Sequence, residues 1–128
     1  MTDVKLTNAE ILLLEQLWKL GEASPEDVQN ALSAGGKDVT GGTVRKMLLG
    51  LYKKGHVTRT KESHRYIYTA KEKPSATRSK LLGDLMLRAF DDSASLVVAA
   101  LFKDNKVDED DFKEIEQLIA SYKKENKK

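Results

Sequence analysis

What most constrains this chain is a change of hydrophobic period at Gly55. Before it, Val44, Met47, Leu48 and Leu51 recur at i, i+3, i+4 and i+7, a single apolar stripe along a helix. Thr40 can cap the start of that helix, and Gly55 stands where a left-handed residue would end it. After it, Val57-Thr58-Arg59-Thr60-Lys61 and Arg65-Tyr66-Ile67-Tyr68-Thr69 alternate and are rich in Thr, Tyr, Ile and Val. The polar Glu62-Ser63-His64 lies between them, so a β-hairpin is expected.

Two shorter helices precede this pair. Thr7-Asn8-Ala9-Glu10 has the form of a capping box, and Ile11, Leu14, Leu17 and Trp18 follow it as a stripe widened by Leu13 and Leu20 and closed by Gly21. Trp18 lies within that stripe and reads as a core anchor. Ser24-Pro25-Glu26-Asp27 is a second start signal, with proline at the first helical position and acids in the first turn. Val28, Ala31 and Leu32 supply its narrow apolar side, and Gly35-Gly36 ends it. Gly41 and Gly42 then occupy the first turn of the third helix, where each costs roughly 1 kcal/mol relative to alanine. They permit either close approach of the helix N-terminus to a phosphate or a tight turn between helices, and the sequence leaves both readings open. Three helices followed by a hairpin describe a winged helix-turn-helix, placed here at residues 1–72, in a mainly α chain with one small hairpin.

Charge points to what such a fold could bind. The net charge of +2 announces no polyanion partner, but its distribution is uneven. Between Arg45 and Arg65, seven basic residues face the single acid Glu62. The third helix offers Thr43, Arg45, Lys46, Lys53 and Lys54 away from its apolar stripe, a mixture suited to phosphates and base edges in the DNA major groove. A solvated face on an ordinary core helix would look the same. The adjoining hairpin, with Arg59, Lys61, His64 and Arg65, tips the balance toward one binding surface. Thr40 and Gly42 join the candidate DNA contacts at the start of that helix. Leu49 on the same side has two readings, contact with a thymine methyl or packing on the wing.

Residues 73–128 form a helical region of different character. A polar stretch from Ala70 to Ser75 containing Pro74 reads as a linker, and a helix is expected from Ala76 to Phe90 with Leu81, Leu82, Leu85, Met86 and Phe90 at helical spacing. After Asp91-Asp92-Ser93, the segment Ala94–Phe102, including Leu96, Val97 and Leu101, is apolar nearly all round, which predicts burial on all sides. A last helix starts near Asp108 with Asp111 in capping-box position. Phe112, Ile115, Leu118, Ile119 and Tyr122 form its stripe, and Lys123, Lys124, Lys127 and Lys128 suit its dipole. So small a segment cannot cover that much apolar surface alone. It either folds back on its own winged helix or pairs with a second copy, and the polar linker and change of charge favour the dimer. Two reading heads would then address half-sites about 34 Å apart, or a multiple of that.

Other classes are narrowed by what is missing. Zero cysteines exclude a disulfide framework, thiolate metal sites and a cysteine nucleophile. No apolar run approaches membrane-spanning length and Met1–Lys5 carries no signal-peptide pattern, so a soluble cytoplasmic protein is expected. His56 and His64 are the two histidines, and no metal-ligand spacing, nucleophile–base arrangement or phosphate loop accompanies them. No cofactor, metal or enzymatic activity is expected.

The order of Leu6-Thr7-Asn8-Ala9-Glu10, Leu17-Trp18, Thr43-Val44-Arg45, Leu48, Leu51 and Lys54-Gly55 resembles the penicillinase-repressor family, which includes the methicillin-resistance and copper-homeostasis repressors. Tyr66-Ile67-Tyr68 matches that family's wing ending, and Ser95–Leu101 its dimerisation region, so the resemblance covers nearly the whole chain. It implies a dimeric winged-helix repressor on a palindromic operator, with Thr43, Arg45 and Lys46 as groove or phosphate contacts. The chain departs from the family where Gly50 replaces a commonly basic residue and where Ser63-His64 replaces Gly-Arg at the wing tip. Ala99-Ala100 stands at the place of the Asn-Phe cleavage pair of the resistance repressors, and the cysteine motif of the copper-responsive members is missing. The sequence therefore shows neither mode of derepression, and no upstream sensor can be read from it. The alternative is a winged-helix protein-interaction module without sequence-specific DNA binding.

Overall fold

The computed structural model describes residues 6–126; Met1–Lys5, with the leader expectation, and Lys127 and Lys128, with part of the C-terminal dipole expectation, lie outside the described residues. The elements run α1 (Asn8–Leu20), α2 (Pro25–Ala34), α3 (Gly41–Lys54), β1 (Val57–Glu62), β2 (Arg65–Ala70), α4 (Pro74–Ala89), α5 (Ala94–Lys103) and α6 (Glu109–Glu125). They form two compact units, residues 1–79 and 80–128. The first is a winged helix.

Local chemistry sets the helix ends of the first unit. Thr7 and Glu10 form the capping box of α1, with Thr7 Oγ1 accepting from Glu10 N–H at 3.1 Å and Glu10 Oε1 from Thr7 N–H at 2.9 Å. Ser24 and Asp27 do the same for α2. Gly55, at φ 87°, lets the N–H of His56 reach Leu51 O at 2.9 Å, a Schellman closure of α3. Gly41 has a packing role, because a Cβ there would lie 3.1 Å from Gln29 Oε1, while Gln29 Nε2 donates to Val39 O at 3.0 Å. The α2–α3 turn is thus held by an α2 side chain that passes close over a glycine. Gly42 is different: nothing lies within 4 Å of its would-be Cβ.

The core unites Leu13, Leu14 and Leu17 of α1, Val28 and Leu32 of α2, Val44, Leu48 and Leu51 of α3, and Val57 and Tyr68 of the hairpin. Leu20, expected to widen the α1 stripe, is 46% exposed, because the helix ends before that face meets a neighbour. Trp18 packs on the core's edge and donates from Nε1 to Glu72 O at 3.2 Å. The strands pair antiparallel from Val57↔Ala70 to Glu62↔Arg65, so the turn is the two residues Ser63 and His64. A further antiparallel bridge joins Ala23 to Tyr68, through N–H···O bonds of 3.0 and 2.8 Å.

Gly50 lies in the interior of α3, where an added Cβ would meet only Glu10 Oε2 at an ordinary 3.7 Å. Gly50→Ala is therefore expected to stabilise the protein by about 1 kcal/mol through the entropy of the unfolded chain. Thermal melting reads this directly, and a lowered midpoint would refute it.

After the hairpin, α4 begins at Pro74, within the stretch to Ser75 expected as a linker, since proline at a helix's first position lacks only an N–H that would go unpaired anyway. Asp91 and Asp92, both at φ 51°, turn the chain after α4, and Ser93 caps α5 by accepting from Leu96 N–H at 3.2 Å. Asp108 and Asp111 form the capping box of α6. The rings of Phe102 and Phe112 meet edge to face, with centroids 6.2 Å apart. The expectation that Ala94–Phe102 is buried on all sides fails within one chain. Neither α5 nor α6 has a buried residue, and Leu96, Leu101, Phe102, Phe112, Leu118 and Ile119 are exposed.

Candidate nucleic-acid interface

The face of α3 opposite the core is built by helical periodicity. With Val44, Leu48 and Leu51 inward, Gly42, Thr43, Arg45, Lys46 and Lys53 fall outward and are exposed. Thr40 Oγ1 accepts from Thr43 N–H at 3.2 Å, and the two threonine hydroxyls share a hydrogen bond of 2.9 Å, which leaves the exposed Thr43 hydroxyl with capacity for a further partner. Arg45 curls toward the helix start, where Nη1 lies 3.3 Å from the would-be Gly41 Cβ. Gly42, Thr43 and Arg45 therefore cluster around the unpaired N–H groups of the helix, the positive end of its dipole.

Two of the expected phosphate contacts also have partners inside the protein. Lys54 Nζ lies 2.8 and 2.9 Å from the two carboxylate oxygens of buried Glu10, tying the end of α3 to the start of α1. Burial pushes the Glu10 carboxyl up, but the hydrogen bonds from Lys54 and Thr7 outweigh it and hold the group below its ordinary 4.5. Arg59 is held between two rings, 4.2 Å from the Tyr52 centroid and 4.0 Å from that of Tyr66, and Nη1 donates to Tyr68 Oη at 3.3 Å. Its guanidinium braces the wing against α3. Residue type and position alone do not reveal partners that distant in the chain.

The tip of the wing carries Lys61, His64 and Arg65, all exposed. Directly paired residues share a face, so Lys61, opposite Tyr66, lies on the side of Arg59, whereas Arg65, opposite Glu62, lies on the other. Arg65 extends toward the start of α2, with Nη1 3.5 Å from Ser24 Oγ, and its charge helps lower the Asp27 carboxyl after the larger effect of the Ser24 hydrogen bonds. Ser63 turns the tip at φ 55°, a left-handed position where glycine is favoured.

The Glu10–Lys54 pair predicts an acid-sensitive fold. Because the folded carboxyl is held below its unfolded value, its contribution is complete above about pH 4.5 and is lost as pH falls through the folded pKa. Lys54→Ala strands a buried carboxylate and is expected to cost about 2 kcal/mol, less than for a fully enclosed pair because the lysine side chain is 33% exposed. Denaturant melts from pH 3 to 7 test this. Equal losses for wild type and Glu10→Gln across that range would show that the pair contributes nothing.

No described helix is long and apolar enough to cross a membrane. Among the described residues, no group of three or more His, Asp and Glu side chains is placed to hold a metal.

A family model described as Penicillinase repressor matches residues 6–121. No curated protein matches the chain. Among solved structures, the ferric uptake regulator of Francisella tularensis, with iron, is 24% identical at TM-score 0.48, covering 56% of this chain and 57% of that one. The ferric uptake regulator of Vibrio cholerae is 23% identical at TM-score 0.49, covering 56% of each chain. BpsR of Bordetella bronchiseptica, whose DNA binding is regulated by 6-hydroxynicotinic acid, is 17% identical at TM-score 0.48, covering 97% of this chain and 79% of that one. The chain thus spans little more than half the length of the two ferric uptake regulators.

Proposed function

The chain belongs to the penicillinase repressor family, and from that premise we propose that it is a cytoplasmic transcriptional repressor binding a palindromic DNA operator as a homodimer. The observation that carries the reading is the outward arc of α3, where Gly42, Thr43, Arg45, Lys46 and Lys53 stand beside a wing tipped by Lys61, His64 and Arg65. Such a helix enters the major groove, its first turn near a phosphate and its cations over base edges and backbone, while the wing follows the flanking phosphates. Lys54 and Arg59 shape this surface without touching DNA. Residues 1–72 read the duplex and residues 73–128 pair the two copies. The exposed apolar side chains of the second part, among them Leu82, Leu85, Leu96, Leu101, Phe112, Leu118 and Ile119, support the pairing, with Leu81, Met86, Phe90, Val97 and Ile115 partly covered beside them.

The test is a titration of the purified protein against the duplex upstream of its own coding sequence and a scrambled duplex, repeated across salt concentration. Preference for the native duplex that survives rising salt, with two chains bound per site, is expected. Equal binding to both that vanishes with salt would leave only a basic surface. A second reading, a protein-interaction module, draws support from the internal use of Lys54 and Arg59, which thins the cationic surface. That same null titration would favour it.

A further inference from the structure

Among the five aliphatic residues of α3, Leu49 has no place in the core. Val44, Leu48 and Leu51 are buried and Met47 packs against them, whereas Leu49 is partly exposed and is not among the described side chains on that cluster. At about 100° per residue, Leu49 stands roughly 140° around the helix from Val44, with Arg45 at about 100°, Gly42 at about 160°, Lys53 at about 180° and Lys46 at about 200°. Its neighbours one turn away along the helix are the cations Arg45, Lys46 and Lys53 and the aromatic Tyr52. The wing meets this helix through Tyr52, whose ring carries Arg59, about 60° away from Leu49.

We propose that Leu49 is a specificity-determining residue that packs on the C5 methyl of a thymine in each operator half-site, an inference that rests on the DNA-reading function above. The thymine methyl is the apolar group displayed on major-groove base edges, and a leucine has nothing to offer a phosphate or a polar edge. Gly42 lies nearly in line with Leu49 and has open space where a side chain would be, so no bulk at that position holds the helix off the groove floor. Leu49 is bordered by Arg45, Lys46 and Lys53 on three sides and by Tyr52, whose ring already carries Arg59, on the fourth, too small an apolar patch for a protein partner. A base step hemmed by phosphates suits one apolar point bordered largely by cations.

The experiment begins with the full-length protein selecting duplexes from a random pool. Each thymine of the selected half-site is then replaced by deoxyuridine, which removes only the methyl, and the Kd is measured for wild type and Leu49→Ala. At one thymine of the half-site the loss is expected to weaken wild type about fourfold, the effect of burying one methyl, or about 15-fold when both half-sites carry the change, and to leave Leu49→Ala unchanged. At most a small drop in melting temperature is expected for Leu49→Ala, because Leu49 is partly covered but stands outside the core. If every methyl is dispensable, or if Leu49→Ala keeps the wild-type dependence, this inference falls and DNA reading stands. A lowered melting temperature without methyl dependence would place Leu49 on the wing and overturn it equally. If the pool yields no preferred sequence, the repressor reading falls and carries this inference with it.

Discussion

Leu118→Glu is expected to turn the proposed dimer into a monomer and to weaken binding to the proposed operator by about 100-fold or more, with helix content unchanged. Leu118 is 68% exposed within one chain, so no intrachain packing is lost when it is replaced. Phe112, Ile119 and Tyr122 share the α6 stripe and are exposed too, a continuous apolar face that water would not leave uncovered on a stable monomer. A two-fold interface repeats each contact, and a carboxylate placed in it twice must be desolvated twice, at several kcal/mol. Loss of the dimer then removes the avidity of two linked reading heads, which amounts to 10²–10⁴ in affinity for comparable tandem binders, as an order of magnitude. Sedimentation across a micromolar dilution series reads the first effect and duplex titration the second. Wild type sedimenting as a single chain at every concentration would refute the interface. So would Leu118→Glu sedimenting as wild type does.

Arg45→Ala should be the most damaging single change on the reading face. A bidentate arginine–guanine contact discriminates by about 1–3 kcal/mol, and a palindrome makes it twice, so the native duplex should lose at least about 30-fold. The way it is lost tells which group Arg45 touches. A base contact relaxes the preference for the native over the scrambled duplex and leaves the salt dependence nearly intact. A phosphate contact weakens both duplexes alike and flattens the log–log salt slope by about 0.9 for each contact removed, so by about 1.8 for two copies. Lys46→Ala is the natural comparison. Unaltered affinity in both variants would mean that α3 does not enter the groove by this face.

Capping was legible because it is local. Thr7, Ser24, Thr40 and Asp108 each meet an N–H three residues on, and Gly55 ends α3 by the freedom of its own backbone. Core positions of α3 followed from period alone. The hairpin was visible too, though its strands run on through Glu62 and Ala70, because Glu62 pairs with Arg65 and leaves only two residues to turn. Pro74 shows the limit of local signals, since the same residue can break a helix or begin one and only the chain after it decides. The partners of the cations were illegible for a different reason. Glu10 and Lys54 are 44 positions apart and Tyr52, Arg59 and Tyr66 belong to three elements, so which cations face solvent depends on tertiary partners. The Ala23 bridge gave no signal, because a single residue pair has no period. Burial of α5 was expected from composition, and composition does not say on which chain the covering surface lies.

The bridge between Ala23 and Tyr68 also bears on how this protein assembles. It joins the segment before α2 to the second wing strand by main-chain bonds, across a stretch that includes the whole of α2, α3 and β1. Closing so long a loop carries an entropic cost that no hairpin can offset by itself, so the base of the wing is secured only once the three helices have collapsed together. The tip can fray and re-form on its own timescale, while the amide of Tyr68 exchanges its hydrogen only when the entire unit opens. Folding order here runs against chain order. Ala23 leaves the ribosome before α3 exists, and its pairing with Tyr68 is expected among the last steps.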